Sequence, residues 1–124
     1  MRLRIALIAL GLTFIAIPTA NAHTVLLTSD PAQGSTIAKW PQAISLTFNE
    51  KLMVVKGNVI NSISLFDAKG VVIPIRKAVS SGSTITALTG LAPKPGRITV
   101  RFRVVSNDGH PISKAFTFTY QSKR

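Results

Sequence analysis

Two histidines are the only ones in the chain, and each stands where it could do chemistry. His110 lies in the run Ser106-Asn107-Asp108-Gly109-His110-Pro111. Asp108 and His110 are two residues apart, a spacing that puts both side chains on one side of an extended backbone. Gly109 between them lets the chain bend so that a carboxylate oxygen and an imidazole nitrogen converge. Those two atoms are metal donors. Asp-Gly is also an ordinary hairpin turn, and a surface histidine beside one needs no function. The turn taken alone is ambiguous.

What precedes His23 reduces that ambiguity. Arg2 and Arg4 form a short positive segment, and Ile5 to Pro18 is an almost unbroken apolar run. Ala20-Asn21-Ala22 then supplies the small-x-small pattern that a signal peptidase reads. A membrane anchor would need roughly 20 apolar residues and a charged stop; this run is shorter and ends in a cleavage pattern. With no cysteine anywhere in the chain, a lipid anchor is also disfavoured. Residues 1–22 are therefore expected to be a signal peptide cleaved after Ala22. Residues 23–124 are expected to be one domain exported to the periplasm.

Cleavage there would make His23 the new N-terminus. A histidine at a free N-terminus chelates by itself, because its α-amine and imidazole close a six-membered ring on one ion. A second histidine across the site completes three nitrogens in a T shape, the arrangement called a histidine brace. Cu(II) prefers tetragonal nitrogen and oxygen coordination and stands at the top of the divalent affinity order. Three nitrogens and one carboxylate oxygen suit it.

Composition narrows the field further. Without cysteine there are no disulfides, zinc–thiolate sites, thiol nucleophiles or blue-copper ligands. A domain of about a hundred residues can hold its core without such staples. The formal charge is +11, less the two charges of Arg2 and Arg4 that leave with the signal. Export removes nucleic acid as a partner for that charge. Anionic headgroups, an acidic face on another protein, or plain solvent remain.

The elements that must position these residues are strands. Ile44, Leu46 and Phe48 alternate with Ser45, Thr47 and Asn49. Ile63 and Leu65 do the same before Asp67-Ala68-Lys69-Gly70, a hairpin signal leading into Val71-Val72-Ile73. Ile98, Val100, Phe102 and Val104 alternate with Thr99, Arg101 and Arg103, and Phe116, Phe118 and Tyr120 follow. Such alternation sets one face on a core and the other in water. Prolines at 31, 41, 74, 93, 95 and 111 leave no room for a long helix. The spacing predicts an all-β domain, a small antiparallel Greek-key sandwich or barrel with Ig-like, cupredoxin-like architecture. Phe48, Leu65, Val100, Phe102, Val104, Phe116 and Phe118 are its expected core. Trp40 reads as a core plug near a loop. Arg97, Arg101 and Arg103 fall on the outer face of their strand, where charge discourages edge aggregation or offers a docking stripe.

At its two ends the sequence resembles the CopC-domain copper-resistance family. Val104-Val105-Ser106-Asn107-Asp108-Gly109-His110-Pro111 followed by Phe116-Thr117-Phe118 is similar to that family's C-terminal signature. His23, with Leu26-Leu27-Thr28-Ser29-Asp30-Pro31-Ala32, resembles its His-x-x-Leu-x-x-Ser-x-Pro-Ala opening, and Leu46 to Glu50 a third segment. The resemblance implies a small β-domain that binds one Cu(II) in the periplasm without catalysis. His23 would supply amine and imidazole, His110 the second imidazole and Asp108 the oxygen. Glu50 falls where the family has an acid behind the terminal amine. The implied partners are the copper ion and an inner-membrane copper transporter or another periplasmic copper protein, with the chain itself a monomer.

Two departures stand out. Some family members carry a methionine-rich Cu(I) site, since thioether sulfur is the soft donor Cu(I) prefers. Here only Met53 follows the signal, so no Cu(I) site is expected. Phe102 replaces a tryptophan, which keeps an aromatic in the core. Two other classes remain open. A lytic polysaccharide monooxygenase-like enzyme also uses an N-terminal copper brace, but this chain is short, and at 6% aromatic residues it is poor in the side chains such a binding surface needs. An exported interaction module with incidental histidines is the other.

Overall fold

The computed structural model describes residues 23–122. The segment read as a signal peptide and the last two residues lie outside the described residues. Nine strands follow in order, and among the described residues there is no helix. They are β1 (Leu26–Asp30), β2 (Thr36–Ile37), β3 (Ala43–Phe48), β4 (Ser62–Phe66) and β5 (Val72–Ile73), then β6 (Val79–Ser81), β7 (Thr84–Leu88), β8 (Gly96–Val105) and β9 (Pro111–Tyr120).

They form two sheets, one in the order β1-β3-β7-β6 and the other β2-β9-β8-β4-β5. The β1–β2, β2–β3, β3–β4, β5–β6 and β7–β8 connections pass from one sheet to the other, as a Greek-key sandwich requires. One pair departs from the antiparallel expectation. β2 runs parallel to the end of β9, Thr36 beside Thr119 and Ile37 beside Tyr120. This two-residue strand is an excursion from the first sheet, held at the second sheet's edge by Thr119 N donating to Ser35 O and Gln121 N to Ile37 O.

The period-two pattern decides which face is inside. Ile44, Leu46 and Phe48 from β3 and Ile85 and Ala87 from β7 meet Ile63, Leu65, Ile98, Val100, Phe102, Val104, Phe116 and Phe118 from the other sheet. Every residue of the expected core is buried, and Arg97, Arg101 and Arg103 are exposed. A one-residue slip of β8 would invert both sets, so the register is fixed by burial. Phe102 packs edge-on against Phe48 with ring centroids 5.4 Å apart. Trp40 closes one end of the core, 5.3 Å from Tyr120 and 6.2 Å from Phe118.

The long hairpin of β8 and β9 is the spine of the molecule. Ten residues in each strand pair without a break from Gly96↔Tyr120 to Val105↔Pro111. At about 3.4 Å per residue this separates the two ends of the sandwich by roughly 30 Å. The turn bearing Asp108 and His110 caps one end. The Asp67–Gly70 turn, between β4 and β5, lies at the other. There the Asp67 carboxylate accepts from the Lys69 and Val71 amides, both at 2.9 Å.

Candidate metal centre

The sequence brings Asp108 and His110 together as the spacing predicts. Gly109 adopts φ 84°, a left-handed conformation that costs glycine little. Its amide donates to Ser106 O at 2.9 Å, closing the turn. Asp108 Oδ1 is then occupied twice, accepting from the Ser106 hydroxyl and, at 2.9 Å, from the His110 amide. Its other oxygen, Oδ2, lies 3.5 Å from His110 Nδ1. The His110 side chain is 85% exposed, so its imidazole is free to turn toward a ligand while the carboxylate is held still.

Ser106 makes this possible. It is fully buried, and its hydroxyl holds the carboxylate from below. That hydrogen bond, followed by the one from the His110 amide, holds the Asp108 carboxyl below its ordinary value, because both donors favour the charged form. A carboxyl with a lowered pKa keeps its charge until pH falls through that lowered value. In the metal-free protein the Asp108 carboxyl carbon, followed by NMR, is expected to titrate below the usual carboxylate midpoint. Ser106→Ala should move that midpoint upward; an unchanged midpoint would remove Ser106 from this role.

His23 reaches the same end of the sandwich by a different route. Its carbonyl accepts from Asn49 Nδ2 at 3.1 Å, and Asn49 Oδ1 accepts from the Val25 amide at 2.7 Å. The Asn49 amide in turn donates to Val25 O at 3.0 Å. Asn49 thus clamps the first described residues onto the end of β3. The next residues carry the connection to the histidine turn. Asn107 N donates to Lys51 O at 3.1 Å, and Leu52 bridges Ser106. Residues 49–52 therefore lie between the start of the described chain and the turn that bears Asp108 and His110. Glu50 is half-buried within this segment, and Thr24 Oγ1 approaches its Oε2 at 3.5 Å, beside His23.

Among the described residues, no three of His, Cys, Asp and Glu are clustered tightly enough to hold an ion together. The structure pairs Asp108 with His110 and sets His23 at the same end without gathering all three. In the uncut chain the His23 nitrogen is an amide. The donor set of a brace includes an α-amine that exists only after cleavage. The remaining donors, two imidazoles and a carboxylate, are those that suit Cu(II). Met53 is half-buried with its backbone tied down, its amide donating to Val105 O at 2.8 Å and its carbonyl accepting from Asn61.

Sequence reasoning missed Asn49, Ser106 and Asn61. Asn49 ends the β3 alternation, where a polar residue is unremarked. Ser106 precedes Asp108 by the two-residue spacing of a local side-chain turn, the one signal that was available.

A small β-sandwich that confines its histidines and a held carboxylate to one end defines a metal-handling domain rather than a cleft enzyme. Residues 26–121 match the CopC domain, and the chain belongs to the CopC family. It is 31% identical to copper resistance protein C of Pseudomonas syringae pv. tomato, over 92% of this chain and 91% of the relative. It is 30% identical to copper resistance protein C of Escherichia coli, over 92% and 94%. Among solved structures it superimposes on CopC from Methylosinus trichosporium OB3b with a TM-score of 0.71 at 25% identity, covering 82% of this chain and 97% of that one. PcoC, a methionine-rich copper resistance protein from Escherichia coli, gives 0.66 at 27% identity, over 81% and 100%. Family membership implies copper binding. These relatives are named for copper resistance, and none of the names is that of an enzyme.

Proposed function

We propose that the processed protein binds one Cu(II) in the periplasm through an N-terminal histidine brace and serves copper resistance without catalysis. The ligands are the α-amine and imidazole of His23, the imidazole of His110 and a carboxylate oxygen of Asp108. Glu50 stands behind the amine. The observation that carries this reading is the convergence of the start of the domain and the Asp108–His110 turn on residues 49–52, in a chain with no other histidine.

Each residue has a separable task. Ser106 and the His110 amide fix one carboxylate oxygen and leave the other to face the ion. Asn49 fixes where the first residue of the domain begins, so the amine and imidazole enter from a defined direction. The exposed turn lets His110 complete the set with little displacement of the core. Bound Cu(II) supplies no reaction here; it is cargo. Exchange with an inner-membrane copper transporter or another periplasmic copper protein fits a site on the protein's surface. With a single methionine after the signal, the chain lacks the thioether cluster that Cu(I) favours.

Electron paramagnetic resonance on the processed protein with one equivalent of Cu(II) tests this reading. Three equatorial nitrogens and one oxygen are expected, and a second equivalent should bind only weakly. Fewer than three nitrogens would rule the brace out. Affinity should fall as pH drops below about 8, because protons compete for the terminal amine. Asp108, held ionised by Ser106, should add to that loss only in stronger acid.

A further inference from the structure

We infer that the end of the sandwich opposite the histidines is a docking tip for bilayers containing anionic phospholipid. Two loops build this tip. One is the Asp67–Gly70 turn with Val71 and Val72, and the other is residues 89–95 between β7 and β8. They are joined side by side: a Cβ on Gly96 would lie 3.7 Å from Ala68 Cβ, and one on Gly90 3.7 Å from Pro74 O.

The tip is apolar where it protrudes and basic around the rim. Leu91 is 93% exposed, more than any other large apolar side chain among the described residues, and Leu88, Val71 and Val72 are each more than half exposed. Ala92 and Pro93 extend the apolar surface, and with Ile73 and Pro74 they line a shallow cleft beside Leu91. Lys69, Arg76, Lys94 and Arg97 are all exposed around them. Arg76 is fixed beside Leu88 through its amide hydrogen bond of 2.8 Å to Leu88 O, and Arg97 is the second residue of β8.

The acids at this end do not neutralise the rim. Asp67 is turned inward onto the Lys69 and Val71 amides. Asp30 sits on β1, separated from β7 by β3, and shares a cleft with Lys39.

Charge complementarity selects the occupant. Isolated aliphatic side chains that protrude within a ring of Lys and Arg match an interface in which apolar groups enter the headgroup layer and cations meet phosphates. A protein partner would be met instead by exposed aromatics and a flat or concave surface. No helix among the described residues is long and apolar enough to cross a membrane, and the contact we infer is a peripheral one made by the tip. Docked by this tip, the protein would hold its histidine end roughly 30 Å from the bilayer, the length of the β8–β9 hairpin.

Vesicle flotation with the processed protein tests this, using phosphatidylglycerol–phosphatidylcholine vesicles against pure phosphatidylcholine. Binding is expected only to the anionic vesicles, with release in high salt. Leu91→Asp should weaken it by about tenfold or more, because a carboxylate would enter the headgroup layer. Lys94→Gln with Arg97→Gln should weaken it about 25-fold, roughly fivefold for each charge. Lys56→Gln with Arg103→Gln, at the other end and further along β8, should change it by less than about twofold. Cu(II) affinity should be unchanged in all of these variants. Absence of binding to anionic vesicles, equal binding to phosphatidylcholine, or an equal loss in the Lys56 and Arg103 variant would overturn the proposal. Concentration-dependent dimerisation abolished by Leu91→Asp would overturn it in favour of a second copy as the occupant.

Discussion

A protein with one extra residue ahead of His23 is expected to bind Cu(II) at least about a hundredfold more weakly than the correctly processed chain. The extension converts an amine into an amide, whose nitrogen has no lone pair available to a metal at neutral pH. The chelate ring is lost with it, so the His23 imidazole must bind without its preorganised partner. A hundredfold corresponds to about 2.7 kcal/mol, a modest demand for one nitrogen ligand and one ring. His110→Ala should cost a comparable amount. Asp108→Ala should cost less, since water can replace one oxygen donor more readily than it replaces a nitrogen. The fold should survive all three changes, because none removes core volume. Competition titration of processed and extended proteins with a Cu(II) chelator reads the difference. Equal affinities would exclude the amine as a ligand and leave an ordinary two-imidazole site in its place.

A large effect on stability is expected from Asn61→Ala, although it removes no apolar core volume. Asn61 is buried just ahead of β4 and ties three pieces of the chain together with one amide. Its Nδ2 donates to Met53 O at 2.8 Å and to Ser80 Oγ at 3.1 Å, and its Oδ1 accepts from the Val105 amide at 2.8 Å. Val105 is itself buried, so truncation leaves a buried N–H with no partner as well as an orphaned carbonyl. Unsatisfied groups of this kind cost about 1–3 kcal/mol each. A loss of about 2–4 kcal/mol follows, a drop in Tm of roughly 10–25 °C for a domain of this size. Ser80→Ala removes only one acceptor that is half-exposed and should cost less than about 1 kcal/mol. Thermal unfolding of the two variants side by side distinguishes a structural tie from a dispensable contact; equal Tm values would mean water replaces what Asn61 supplies.

These two sites differ in how legible they are. Period-two alternation in β3, β4, β8 and β9 determined the all-β class, the inward set from Ile44 to Phe118 and the outward arginines, because one face of a strand must leave water and the period is fixed by backbone geometry. The Asp108-Gly109-His110 turn was equally local: Gly109 supplies the positive φ and the two side chains meet. The sequence also marked His23 as a residue of interest, through the cleavage pattern ahead of it. Tertiary structure decided the rest. That Asn49 clamps His23, that residues 49–52 lie between His23 and the histidine turn, and that Asn61 joins Met53, Ser80 and Val105 all depend on chain segments 8 to 56 residues apart. No local period encodes such contacts, because a hydrogen bond across two sheets is set by how the sheets pack and not by the residues beside it. The same reason kept Leu91 and Lys94 apart from Val71 and Lys69 along the sequence, until the pairing of β4 with β8 brought both loops together at the end of the molecule farthest from the histidines.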